Sequence, residues 1–387
     1  MKNPEKFHSA TIPDSRLLQG LLGLRGIAAV AVVLFHLRYL TEIHVPQEFL
    51  FIERDFKYGP HLFFVLSAYS LMYSTEHTIH RPDWIRDYLI KRLFRIAPLF
   101  YFVLACMLAL IVRYAFINDS ALPGIPAILL NIFLVFGFFP EPPGVGLLLG
   151  GWAIGVEMIF YMLFPVLLII IKTKKEALLF LLMAVLIGYF SRFESHTQYL
   201  NAVPQPKWDW SFFAFLPNLY FFAVGIYAYR LEQTLAKNGR TLRVLIPAVA
   251  VLTIGVLLFT EADKPLRNEG RLDLVIWAFG FGALCIWQSA KPNLWSANRF
   301  FEYLGERSYS IYLLHPLVIN LSKNYIVSLY AKLESGMGEY AYFICALVVM
   351  CGVLIVAEIT YRAVEVPGIR MGRKLIETMR GTALQAR

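Results

Sequence analysis

Charge and cysteine are both scarce in this sequence, and each shortage removes a class of protein. Of 387 residues, 16% are charged and 58% hydrophobic, with a mean hydropathy of +0.58. A water-soluble domain carries about a quarter charged residues and no more than about half apolar ones, so this chain belongs in a bilayer. The four cysteines, Cys106, Cys285, Cys345 and Cys351, fall in apolar stretches without C-x-x-C spacing. That excludes a disulfide framework and a zinc site, so no metal is expected and the cysteines read as small buried hydrophobes. Also missing are a G-x-S-x-G elbow, a P-loop, a dinucleotide fingerprint, an internal repeat and a low-complexity segment. The net charge is +9, but no basic stripe is interleaved with aromatics, so nucleic acid is not an expected partner. The positive charge instead suits loops facing anionic membrane lipid.

What is present is a series of apolar runs. A spanning helix needs roughly 20 such residues, and eleven stretches qualify: 18–40, 59–75, 96–116, 124–140, 152–171, 176–191, 211–229, 244–260, 272–289, 305–325 and 340–361. The first is too long for a leader core and lacks a small-residue cleavage site, so it is expected to stay as a span. Basic residues cluster at Lys2 to Arg16, Arg81 to Arg95, Lys172 to Lys175, Arg230 to Arg243, Lys291 to Arg307, and Arg362 to Arg387. Placing these clusters on the cytoplasmic side puts two thirds of the 36 basic residues there. Both termini then lie in the cytoplasm, which requires an even number of crossings. The stretch 124–140 is expected not to cross, because Arg113 to Gly151 is nearly free of basic residues while Lys172 to Lys175 fixes the next span's inner end. The reading is an all-α, polytopic transmembrane bundle of ten spans with one re-entrant or outer-surface segment. It divides into a tail over 1–16, a transmembrane domain over 17–369 and a second cytoplasmic tail over 370–387, in the inner membrane. The sequence does not set an oligomeric state.

Ionisable groups inside spans cost several kcal/mol, so each is a functional candidate. Arg25 and His36 are eleven residues apart on the first span, which returns them to one face of the helix about 16 Å apart along its axis. Either alone also suits a boundary role, Arg25 by snorkelling to headgroups and His36 by capping the outer end; together they mark the ends of a polar passage. Glu157, in WAIGVEMIFYMLFP, sits at a depth similar to His36 and is expected to orient that imidazole as a general base; the alternative is a protonated glutamate bonded to a neighbouring helix. In KRLFRIAP, Arg92 and Arg95 share a face at i and i+3, suited either to phosphate or to a positive-inside anchor. Ser308, Tyr312 and His315 share a face in SYSIYLLHP, and Pro316 is expected to kink that helix. His77 and His80 have the spacing of a metal chelate but no third ligand, and read as a solvated loop.

These residues carry a resemblance. Arg25 and His36 with ten residues between, GPHLFFVLSAYSLM, KRLFRIAP, WAIGVEMIFYMLFP, SYSIYLLHP and YRAVEVPG occur in an order that resembles the acyltransferase-3 family of bacterial membrane acyltransferases, over nearly the whole chain. The resemblance implies a ten-span fold with His36 as catalytic histidine and Arg25 as its partner. It also implies acyl-CoA, acetyl-CoA in the simplest case, approached from the cytoplasm by Arg92 and Arg95, with Lys91 beside them. The acceptor would be an envelope carbohydrate or lipid-linked glycan. Ser67, Trp152, Ser308, Tyr309, Tyr312 and His315 are candidates for holding the substrate or the oxyanion. The chain departs from the family where it has Ser67-Ala68 in place of Ser-Gly and His61 in place of an acidic residue. It also lacks the soluble hydrolase-like domain of many relatives. The rival expectation is a proton-coupled transporter or exporter, since buried Arg, His and Glu also mark proton paths.

Overall fold

The computed structural model describes residues 15–119, 121–139, 147–202, 209–238, 240–260, 266, 271–290 and 298–385. Among these the regular structure is all helical. The apolar runs become α1 (Ser15–Thr41), α2 (Gly59–Thr75), α3 (Trp84–Asn118), α4 (Ile125–Ile132), α5 (Trp152–Ile170), α6 (Lys174–Asn201), α7 (Phe215–Asn238), α8 (Arg240–Thr260) and α9 (Asp273–Ala290). They continue as α10 (Arg299–Glu306), α11 (Ser308–Met337), α12 (Ala341–Thr360) and α13 (Val366–Gln385). Among the described residues five segments are long and apolar enough to cross a membrane by length and composition: Gln19–Thr41, Trp84–Asn118, Trp152–Ile170, Lys174–Asn201 and the continuous run Ser308–Gly381. The expected stretch 124–140 does not form a long helix. It gives the eight residues of α4, too short to cross, followed by a turn of 3-10 helix at Phe136–Phe138.

Helix α2 is the axis of the bundle. Nearly all of its residues are buried, from Gly59 to Thr75, because α1, α7 and α9 surround it. Close approach depends on small residues, as it does wherever helices meet without water to drive them together. A Cβ at Gly225 of α7 would lie 2.4 Å from the Val65 carbonyl of α2, and one at Gly305 of α10 would lie 2.0 Å from the Leu22 carbonyl of α1. Phe136 seats against Gly155 of α5, which fixes the chain after α4 to the bundle. Helix α6 lies outside, on α7, and exposes Leu182, Leu186 and Phe190. Such an apolar exterior suits lipid rather than water. One expectation needs correction. Cys285 and Cys345 are buried, but Cys106 and Cys351 are exposed on helix exteriors, where a thiol is as compatible with lipid as with a core. In the region from 370, α13 runs across that point and packs on α3, with Gly372 against Phe94 and Arg380 bonded to Asp87 at 2.5 Å. The other expected tail, 1–16, lies almost wholly outside the described residues.

Candidate active site

Helices α1 and α11 lie side by side, and their shared seam carries the polar groups. His36 of α1 and His315 of α11 meet there: His36 Nδ1 lies 3.0 Å from His315 Nε2 and 3.0 Å from the Val32 carbonyl one turn back. His315 Nδ1 lies 3.2 Å from the Ile311 carbonyl. A carbonyl can only accept, so these partners assign the protons: Nδ1 of each ring carries hydrogen, and His315 Nε2 accepts from His36. The lone pair of His36 therefore sits on Nε2. His36 lines a cavity of about 320 Å³ together with Phe35, Tyr39, Trp152, Phe212 and Arg192. His315 itself is fully buried. Helix α11 continues through Pro316, whose carbonyl accepts from the Asn320 side chain at 2.9 Å.

Glu157 is not the partner of His36. It accepts from Ser67, and from Tyr161 at 2.5 Å, within its own layer of the bundle. That layer encloses a second, much smaller cavity of about 20 Å³ lined by Arg25, Arg95, Glu157, Ser308, Tyr309 and Tyr312. Arg25 Nε reaches Ser308 Oγ at 3.5 Å and its guanidinium lies over the Phe63 ring. Tyr309 donates to the Ile96 carbonyl at 2.8 Å. Helical pitch put His36 and Arg25 in separate layers, and Glu157 belongs to the arginine's. Tyr161, four residues on from Glu157 and so on the same helical face, is the neighbour that helical spacing indicates.

The Arg-x-x-Arg pair divides between two places. Arg95 faces the small cavity, whereas Arg92 lies over the rings of Tyr88 and Tyr161 and lines a polar cleft of about 150 Å³ with Arg81, Lys91 and Arg380. The Arg92 Nε is buried and has no hydrogen-bond partner among the described residues. Tyr312 connects the layers: its ring lines the small cavity, and its hydroxyl donates at 2.6 Å to the carbonyl of Gly150, which lines the His36 cavity. Ser67 and Ser308 are buried in the arginine layer, while Trp152 forms a wall of the His36 cavity. His61, where the family pattern has an acidic group, is fully buried among Tyr58, Trp152, Phe212 and Phe221. Arg192, Arg271, Lys57 and Asp209 also line the His36 cavity, and nothing in the sequence singled them out. Lys57, Asp209 and Arg271 sit in turns or loops, where periodicity says nothing about direction, and Arg192 lies within α6 just past its apolar stretch.

A helix bundle with an apolar exterior, one imidazole of a buried pair lining a cavity and guanidiniums gathered at the other end of the same seam belong to a multi-pass membrane protein. A family model described as an acyltransferase domain matches residues 18–360. The chain belongs to that family, the acyltransferase-3 family, and is a membrane acyltransferase. No curated protein and no solved structure matches it.

Proposed function

We propose that the protein transfers an acetyl or similar short acyl group from acyl-CoA to a hydroxyl of an envelope carbohydrate. The observation that carries this reading is the contact of His36 Nδ1 with Val32 O and His315 Nε2 beside the larger cavity, which in a neutral ring with its proton on Nδ1 puts the lone pair on Nε2. In the simplest route His36 Nε2 takes the proton of the acceptor hydroxyl while its oxygen bonds to the thioester carbonyl carbon. The C–S bond then breaks, and the imidazolium returns the proton to the departing thiolate. A transient acyl-histidine would form on the same nitrogen. His315 stabilises the imidazolium by accepting its Nδ1 proton, the role that the sequence had given to Glu157.

Arg92, with Lys91, Arg81 and Arg380 around it, supplies the cations for the donor's phosphates, and its unpartnered Nε is a donor in want of an acceptor. Arg25 and Arg95 continue this charge inward along the seam. Tyr312 stands between the donor end and His36, so entry of the thioester requires its hydroxyl to leave Gly150. Positive charge at the Arg92 end supports an orientation with that end toward the cytoplasm, at the inner membrane, and the His36 cavity on the opposite side.

The test is mass spectrometry of surface glycans from cells with and without the gene, alongside His36→Ala. The reading requires an acetyl increment that disappears in both the deletion and the variant, with the variant protein present at normal level. An unchanged glycan in the deletion strain would overturn it.

A further inference from the structure

The wall of the larger cavity contains a charge that the transfer chemistry above does not use. Arg192, on α6, is 1% exposed, yet its guanidinium lines the same cavity as His36. Its bonds are to neutral groups, the Pro217 carbonyl at 2.9 Å and Asn218 Oδ1 at 3.4 Å. The nearest described carboxylates, Asp209 and Asp273, act on it from a distance and bond elsewhere. Asp209, which also lines the cavity, is bonded to His196 at 2.7 Å, and Asp273 forms a paired contact with Arg271 at 2.7 and 2.9 Å. Among the described residues Arg192 forms no ion pair. A buried cation held in contact by neutral groups alone is costly, and such charges persist where a ligand supplies an anion. Lys57 adds a second cation to the wall, its ammonium over the Tyr58 ring. Trp152, Phe212 and Phe213 line the same cavity, and aromatic rings suit the apolar face of a sugar.

From this arrangement we infer that the acceptor is an anionic carbohydrate, whose phosphate or carboxylate is bound by Arg192 with Lys57 while a hydroxyl is presented to His36. This rests on the acyl-transfer reading and adds the class of acceptor to it. Arg192 is a specificity-determining residue here, since its planar fork matches either oxyanion and takes no part in proton transfer.

The experiment uses the full chain in detergent with acetyl-CoA and three soluble acceptors built on one sugar: a neutral methyl glycoside, its uronate and a glycosyl phosphate. Wild type is expected to acetylate one of the anionic acceptors with a KM at least about tenfold below that of the neutral one, and which of the two is preferred distinguishes a carboxylated glycan from a lipid-linked sugar phosphate. Arg192→Gln should raise that KM by about tenfold or more and erase the preference, and Lys57→Gln should weaken it. If Arg192→Gln does not fold, Arg192→Lys must keep the preference in reduced form. Equal use of neutral and anionic acceptors by wild type, or a preference untouched by these substitutions, overturns the inference. A second readout does not depend on catalysis. In an Arg92→Ala background, which removes the cations proposed for the donor's phosphates, inorganic phosphate or sulfate should raise the melting temperature of the protein and of its His36→Ala form but not of its Arg192→Gln form, and no shift in that background counts against the anion site. If no acceptor is acetylated and His36→Ala consumes acetyl-CoA as fast as wild type, the acyl-transfer reading itself fails, and the melting shift still decides whether the anion site exists.

Discussion

At His36 the chemistry turns on which nitrogen carries the proton. Two carbonyls one helical turn back, Val32 O and Ile311 O, fix both rings, and the contact between the rings then leaves a single outcome for Nε2. His315 is accordingly a positioning residue. His315→Ala should lower acyl transfer by up to about 10²-fold, within the range that general-base catalysis contributes. His315→Gln, which can offer an amide oxygen to the His36 Nδ1 proton, should recover most of that loss. Steady-state assays with acetyl-CoA would show it, and equal loss in both variants would argue for a packing role alone. Arg92→Ala should instead raise the KM for acyl-CoA several-fold with little change in kcat, because its bond is made equally before and during reaction.

Elements are held by small residues and by charge at their ends. The α1–α10 contact allows no side chain at Gly305, whose neighbour there is backbone that cannot swing aside. Gly305→Ala should cost about 1–3 kcal/mol of stability, seen as a lower melting temperature in detergent. At one end of α2, Glu76 accepts from Tyr229 at 2.7 Å, from Gln233 at 3.2 Å and from Arg230, joining that end to α7. Burial alone would raise this carboxyl, but the bonds from Tyr229 and Arg230 outweigh it and hold it below the ordinary glutamate range. A carboxyl so lowered stabilises the fold above its unfolded value of about 4.3 and loses that contribution as pH falls through the folded one. The melting temperature of wild type should therefore fall as the solution is acidified below about pH 4. Glu76→Gln should begin lower at neutral pH and show a shallower decline.

For the whole molecule, the basic clusters and the helices together imply a fixed orientation. Exposed Glu48, in the turn after α1, belongs to the His36 end, and exposed Lys174, at the start of α6, belongs with the basic loops. In a background with Cys106 and Cys351 replaced by serine, Glu48→Cys should react with an impermeant maleimide in intact cells, and Lys174→Cys only after the inner membrane is opened. The reverse pattern would invert the donor and acceptor sides. Much of this scale was legible beforehand, because hydropathy reports where a helix must avoid water: α1, α5, α9 and α12 begin and end within three residues of the expected stretches. α3, α6 and α11 run well beyond theirs, since polar residues at a helix end are invisible to an apolar window but still helical. Helix α2, whose sides are covered by neighbouring helices, shows that an apolar run can face protein rather than lipid.

The sequence by itself determined the solvent, the helices and, through 3.6-residue periodicity, that Arg25 and His36 share one face of α1. It also supplied the family, by motifs in order along nearly the whole chain. Only the tertiary structure decided the partners: His315 with His36 across 279 residues, Glu157 with Ser67 and Tyr161, and Arg192 beside the imidazole's cavity. The reason is that periodicity fixes a side chain's direction about its own helix axis, whereas the group it meets is set by how helices pack, their relative height included. Pitch alone placed Glu157 level with His36, and the packing of α5 set it beside the arginines.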